Sequence, residues 1–170
     1  MTENAQPQRV DPPMTGDERT QLTTFLTYQR QTVLWKCSGL TDEQARRSFY
    51  PSELTTIAGL LCHLRGVEEG WFAVALDGQP DPWAERIKAD PDAEFRHGMR
   101  TPIGQLIDEY QRECQRGDEI VGKLDLDQRL PFRDREITPR WVLIHMIEET
   151  ARHAGHIDLI REQLDGLVGE

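Results

Sequence analysis

The chain has 170 residues, 37% of them hydrophobic and 29% charged, which fits one globular domain with a core of its own. Its 30 acidic and 20 basic residues give a formal net charge of −10, so its surface should repel phosphate backbones and anionic lipids. No apolar run approaches the roughly 18 residues of a membrane span and no secretory signal begins the chain, so we expect a cytoplasmic protein without nucleic-acid or membrane partners.

The first predicted helix follows a polar stretch that contains prolines. We expect residues 1–16 to form a flexible N-terminal leader and residues 17–170 to form a single domain. Apolar residues near the 3.6-residue period predict a helix over residues 17–36. Thr41, with Gln44 three positions later, has the pattern of a capping box and predicts a short further helix.

The second long helix is predicted over residues 52–76. His63 lies at the edge of its apolar side. A long connection of residues 78–100 follows, with a short helix expected near residues 83–89. Connections of this length in a compact domain often form lids or rims of functional sites.

Two Thr-Pro pairs predict the starts of the third and fourth helices. Thr101-Pro102 opens a helix that runs to about residue 124, and Thr138-Pro139 opens one that runs to about residue 164. The 125–137 connection lies between them, and we predict no strand in the chain. Four amphipathic helices with two long crossover connections predict an all-α four-helix bundle.

The fourth helix carries titratable side chains at helical spacing. A helix turns about 100° per residue, so Glu149 and His153 share a face, and His145 and His156 lie close to it. Burying such groups costs several kcal/mol unless they are paired, hydrogen-bonded or bound to a metal. The stretch therefore predicts a site, although core histidines with satisfied hydrogen bonds would give the same pattern.

His63, Glu149 and His153 are the predicted metal ligands. Two ligands one turn apart and one from a facing helix leave positions open for water or substrate. The set suits Zn²⁺ best, and Ni²⁺ or Fe²⁺ nearly as well. His156 is predicted to be a catalytic acid or base, with a ligand role or a supporting contact to a ligand as alternatives.

Other chemistry-bearing residues are given structural roles. Trp35, Trp71 and Trp141 have apolar neighbours at helical spacing and are predicted to pack in the core. The acidic pair Glu68-Glu69 is expected to be solvated. The chain's three cysteines lack a CxxC pair, so we expect free thiols.

Two segments carry a resemblance to a known family. The fourth-helix segment HMIEETARHAGHIDLIRE (145–162) resembles the last bundle helix of the DinB/YfiT-like metalloenzyme superfamily, specifically an actinobacterial-type branch grouped as a domain of unknown function. The segment LLCHLRGVE (60–68) resembles the second-helix ligand segment of that superfamily. The resemblance extends over residues 17–166.

The resemblance implies a four-helix bundle that binds a divalent metal through three residues, commonly histidines with an H-x₃-H pair. Here Glu149 stands at the first position of that pair, as in the related N-terminal domain of mycothiol-dependent maleylpyruvate isomerase. By this resemblance the ligands are His63, Glu149 and His153.

The same resemblance implies a metal-dependent transferase or isomerase. It would act with a low-molecular-weight thiol, mycothiol, on a small-molecule electrophile, and a homodimer is expected. A metal-dependent hydrolase and a non-catalytic, stress-associated protein that binds metal or small molecules are the alternatives.

Overall fold

The computed structural model of the protein describes residues 9–169, so residues 1–8 of the predicted leader and residue 170 lie outside the described residues. The rest of the predicted leader contacts the domain at Arg9. The Arg9 guanidinium lies 4.5 Å from the ring centre of Trp35, and its Nη1 donates a hydrogen bond to Thr32 Oγ1 at 3.2 Å. The division into leader and domain stays a prediction.

The described residues form a helical domain, which confirms the predicted all-α fold. The long helix Glu18–Cys37 packs against Pro139–Asp165, and Ile57–Glu68 packs against both Ile103–Val121 and Pro139–Asp165. In chain order the elements are α1 (Glu18–Cys37), α2 (Asp42–Ala45), α3 (Ile57–Glu68) with a π-helical continuation (Glu69–Leu76), α4 (Ala84–Ala89), α5 (Ala93–Gly98), α6 (Ile103–Val121), β1 (Leu130–Phe132), β2 (Arg135–Ile137) and α7 (Pro139–Asp165). No helix among the described residues is long and apolar enough to cross a membrane.

Side-chain caps start α1, α2 and α7 where the sequence predicts them, whereas α6 follows Pro102 without a side-chain cap from Thr101. Asp17 caps α1 by accepting from Thr20 N, and Thr138 caps α7 by accepting from Trp141 N. The second helix is an exception, because its start at residue 52 was wrong. Its cap is Thr56, a buried residue whose hydroxyl accepts from Gly59 N, so α3 is shorter at its N-terminus.

The 125–137 connection contains a small β-hairpin that the sequence analysis did not predict. β1 and β2 pair antiparallel, with Leu130 opposite Ile137 and Phe132 opposite Arg135. The two-residue turn holds Arg133 at φ 54°, a left-handed conformation that side chains rarely adopt. Three-residue strands without a glycine in the turn give too weak a pattern for sequence-based prediction.

An ion pair inside the bundle corrects the solvated assignment of Glu68. Glu68 is 1% exposed, and both of its carboxylate oxygens accept from the Arg30 guanidinium, at 2.7 and 2.6 Å. Arg30 also donates to Asp118 Oδ1 at 2.7 Å. Sequence spacing on one helix cannot reveal this pairing, because the cation comes from α1.

The tryptophans divide between core and surface. Trp35 is buried as predicted, and Trp71 is half-buried. Trp141 is 49% exposed, so its core assignment was wrong. Its ring packs beside Trp71, with 5.2 Å between ring centroids, and this contact holds it at the surface of the bundle.

Candidate metal site

Three side chains from two helices meet near the edge of the bundle. Glu149 Oε1 lies 3.5 Å from His63 Nε2 and 3.2 Å from His153 Nε2. One donor atom from each of the three lies within 4.8 Å of the others, and all three side chains are largely buried. The structure thus brings the three predicted ligands together as a His–Glu–His triad.

The donor separations in the triad fit a divalent cation. Metal–ligand bonds of about 2.0–2.1 Å at tetrahedral angles place neighbouring donors roughly 3.3 Å apart. The two separations from Glu149 Oε1, 3.2 and 3.5 Å, lie on either side of that value, and the two histidine donors lie within 4.8 Å of each other. Two imidazole nitrogens and one carboxylate oxygen are ligands that Zn²⁺, Ni²⁺ and Fe²⁺ all accept.

Buried neighbours fix the backbone that carries each donor. On α3, His63 stands between Cys62 and Leu64, which are both fully buried. On α7, the side chains of Thr150 and Ile157 are fully buried on the inner face, and this holds Glu149 and His153 at the border of the core. The triad therefore sits on two rigid helices.

The short helix α5 supplies a contact that the sequence analysis missed. Glu94 Oε2 lies 2.9 Å from His63 Nδ1, so the carboxylate can accept the Nδ1 proton. The ring of the next residue, Phe95, stacks on His63 at a centroid distance of 5.0 Å and an interplanar angle of 15°. One hydrogen bond and one stacked ring thus orient His63 with Nε2 directed at Glu149.

Glycines allow α5 to approach α3 this closely. A Cβ at Gly66, three residues after His63, would lie 2.7 Å from Glu94 Cδ. A Cβ at Gly98 would lie 2.9 Å from both Ala58 C and Cys62 Cβ. Gly66 was the available sequence signal, because a glycine inside a helix indicates a close neighbour without naming it.

His156 contacts the triad from its outer side. It is exposed, and its Nδ1 lies 3.3 Å from Nδ1 of His153. His153 Nε2 faces Glu149, so His156 touches the opposite nitrogen of that ring. This position fits both the supporting contact and the catalytic role foreseen for His156.

The two triad histidines have opposite pKa shifts in the protein without a metal ion. Burial disfavours the charged form of His63, but the carboxylates of Glu94 and Glu149 outweigh burial and raise its pKa. Burial, reinforced by the nearby His63, lowers the pKa of His153. A neutral His153 is the form that binds a cation.

The remaining histidines lie away from the triad. His145 is placed between Trp71 and Trp141, with ring centroids 4.8 and 5.1 Å away. His97 is half-buried on α5 beside Trp83, with 5.5 Å between the ring centroids. Of the five histidines in the chain, His63, His153 and His156 belong to the site.

Comparison with known families now identifies the chain's relatives. A family model described as mycothiol-S-transferase matches residues 21–166, which is most of the chain. The chain belongs to the mycothiol-S-transferase family. A search of curated proteins gives no match. Membership in this family implies S-transfer from mycothiol to an electrophile, in agreement with the expectation of a thiol-dependent transferase.

Proposed function

We propose that the protein is a zinc-dependent transferase that joins the sulfur of mycothiol to an electrophilic small molecule. His63, Glu149 and His153 are the proposed metal ligands. The observation that carries the proposal is the convergence of these three donors at metal-binding distances in a chain of the mycothiol-S-transferase family. The reaction is then a conjugation.

Contacts around the triad support this assignment. Metal-binding histidines usually donate their other ring N–H to a carboxylate, a carbonyl or another acceptor, which fixes the tautomer. Glu94 has this relation to His63, and His156 has it to His153. We therefore assign Glu94 as a positioning residue.

The protein's own thiols are unsuited to act as the nucleophile. Cys37, Cys62 and Cys114 are all buried. Burial raises the pKa of Cys37 to about 12 and that of Cys62 to about 11, and it also raises the pKa of Cys114. A thiolate at neutral pH must therefore come from a second substrate, as the family implies.

A bound cation and His156 are proposed to have separate roles in the reaction. A bound divalent cation supplies a Lewis acid that lowers the pKa of a thiol. If His153 bound the cation through Nε2, its Nδ1–H would donate to His156 Nδ1, and this would leave the Nε2–H of His156 as a donor. We propose that His156 uses this proton to stabilise negative charge on the electrophile or its leaving group.

A conjugation assay tests the proposal. The zinc-loaded protein is given monochlorobimane with mycothiol, glutathione or cysteine, and the rate of thioether formation is measured. We expect conjugation with mycothiol, and its loss in His153→Ala. His145→Ala is the matched control, because it removes a histidine from the same helix away from the triad. Equal rates in wild type and His153→Ala would contradict the proposal.

Two further expectations stay predictions. The homodimer implied by the resemblance is tested by the molar mass in solution from light scattering. The cytoplasmic location is tested by fractionation of the native cells.

A further inference from the structure

A cavity opens beside the triad on its outer side. It has a volume of about 650 Å³, and His153 and His156 are among the residues that line it. Its walls are the largely apolar side chains Tyr50, Pro51, Leu60, Phe95 and Leu159. We call this space the apolar cavity.

The apolar cavity is continuous with the proposed reaction centre. His153 belongs both to the triad and to the cavity wall. Phe95 stacks on His63 and also lines the cavity. A molecule in the cavity therefore lies next to the triad, within reach of a sulfur held there.

The cavity walls are less suited to mycothiol than to an apolar electrophile. Mycothiol carries its thiol on a pseudodisaccharide rich in hydroxyl groups. A hydroxyl group placed against apolar walls without a partner costs about 1–3 kcal/mol. Apart from the two histidines, the polar wall residues are Ser52, Thr55 and the phenol of Tyr50, which are too few to satisfy a sugar.

The wall of the apolar cavity disfavours a negative charge placed away from the triad. Within the described part of the chain, neither lysine nor arginine lines the cavity. A carboxylate held against this part of the wall would lose hydration without gaining an ion pair. An uncharged aromatic or aliphatic molecule gains free energy from burial against leucine and phenylalanine side chains.

We propose that the apolar cavity binds the electrophile, and that the preferred electrophile is an uncharged, largely apolar molecule. This inference rests on the proposed transferase function. In the conjugation the mycothiol sulfur bonds to the electrophilic carbon. The leaving group departs with the electron pair of the broken bond, and the thiol proton passes to water.

Leu159 allows a matched pair of variants. It is 54% exposed on α7 and lines the cavity, whereas Ile144 on the same helix is 53% exposed and does not line it. Neither Leu159→Glu nor Ile144→Glu places a charge in the core. A difference in substrate KM between Leu159→Glu and Ile144→Glu therefore reports on the cavity.

The first experiment measures KM for each substrate with the zinc-loaded protein. We expect Leu159→Glu to raise KM for monochlorobimane roughly tenfold, the effect of a lost apolar contact in a pocket, and to leave KM for mycothiol within twofold. Ile144→Glu should change neither. A rise confined to mycothiol would show that the cavity holds the thiol, and unchanged values would show that it holds neither substrate. Both results would overturn the proposal.

The second experiment compares methyl 4-chloro-3-nitrobenzoate with its free carboxylate, with rates divided by the uncatalysed rates. The wild-type protein should accelerate the reaction of the ester more than that of the carboxylate. Leu159→Lys should lower this ester-to-carboxylate ratio of rate enhancements. An unchanged ratio in Leu159→Lys would contradict the assignment.

A binding measurement separates this inference from the proposed function. Calorimetry on the zinc-loaded protein should show the ester binding to wild type and to Ile144→Glu, and binding more weakly to Leu159→Glu. If no thiol is conjugated but this difference remains, the transferase proposal fails and the cavity assignment stands. Equal binding to all three proteins would refute the cavity assignment.

Discussion

The contact between Glu94 and His63 is open to a test that changes neither residue. Gly66→Ala adds one methyl group, whose carbon would lie 2.7 Å from Glu94 Cδ. Two carbon atoms approach without strain only to about 3.5 Å, so Cδ must retreat by at least roughly 0.8 Å. The methyl group would also overlap Glu94 Oε1, which must move further than Cδ. Because Cδ belongs to the end of a flexible side chain, we expect the carboxyl group to move and the helix to stay.

That displacement exceeds the tolerance of the hydrogen bond. Glu94 Oε2 lies 2.9 Å from His63 Nδ1, and a separation beyond about 3.5 Å no longer counts as a hydrogen bond. Only about 0.6 Å is therefore available before the contact is lost. Loss of such a partner of a metal-binding histidine weakens metal affinity about 10- to 100-fold.

A competition titration against a chromophoric chelator measures the effect on zinc. We expect Gly66→Ala and Glu94→Ala to weaken zinc binding by similar factors, with Glu94→Gln less affected because its amide oxygen can still accept. Gly104→Ala is the control, since an added Cβ there meets nothing within 4 Å. Alanine also favours a helix over glycine by about 0.5–1 kcal/mol, so a lower melting temperature is not expected for Gly66→Ala.

Zinc affinities of Glu94→Ala and Gly66→Ala can refute the proposed role of Glu94. Unchanged zinc affinity in Glu94→Ala would show that this carboxylate does not position His63. Weaker binding in Glu94→Ala but not in Gly66→Ala would show that the added methyl group leaves the hydrogen bond intact. Nitrogen-15 spectra of the histidine rings give an independent readout, because the tautomer of His63 should become mixed in both variants.

Three further predictions concern other parts of the chain. Glu68→Ala leaves Arg30 as a buried cation without its main partner, so it should lower the free energy of unfolding by about 3–5 kcal/mol. A loss of less than about 1 kcal/mol in a denaturant titration would contradict this prediction. Burial raises the pKa of the Cys37 thiol from its ordinary value of 9.0 to about 12 in the folded protein. Between about pH 9 and pH 12, therefore, the thiol ionises in the unfolded chain but not in the folded one. Stability should therefore fall as pH rises from about 9 to 12, and Cys37→Ala should reduce that slope; an equal slope would contradict the prediction. At saturating zinc, His156→Ala should lower kcat about 100-fold in the mycothiol assay, because it removes the hydrogen-bond donor proposed to stabilise developing negative charge. An unchanged kcat would exclude this role.

The central site was predictable because its signals are local. Glu149 and His153 are four residues apart on one helix, and helical geometry alone places them on one face. His63 followed from a second helix whose apolar side carries a single histidine. Caps such as Asp17 and Thr138 fixed the helix starts for the same local reason.

The contacts around the site were not predictable because they join distant residues. Glu94 meets His63 across 31 positions, and Arg30 meets Glu68 across 38. No periodicity within one helix reports which side chain faces it from another element. The hairpin was missed for a different reason, since strands of three residues are too short to show an alternating pattern.

The most direct test of the proposed function is a titration of the metal-free protein with zinc, followed by the initial rate of mycothiol conjugation to monochlorobimane. The triad provides one site, so the rate should rise linearly and reach its plateau at one equivalent of zinc. His153→Ala should show no rise over the same range. A metal-free protein that conjugates at the full rate, or a zinc-loaded protein that does not conjugate mycothiol, would contradict the proposal.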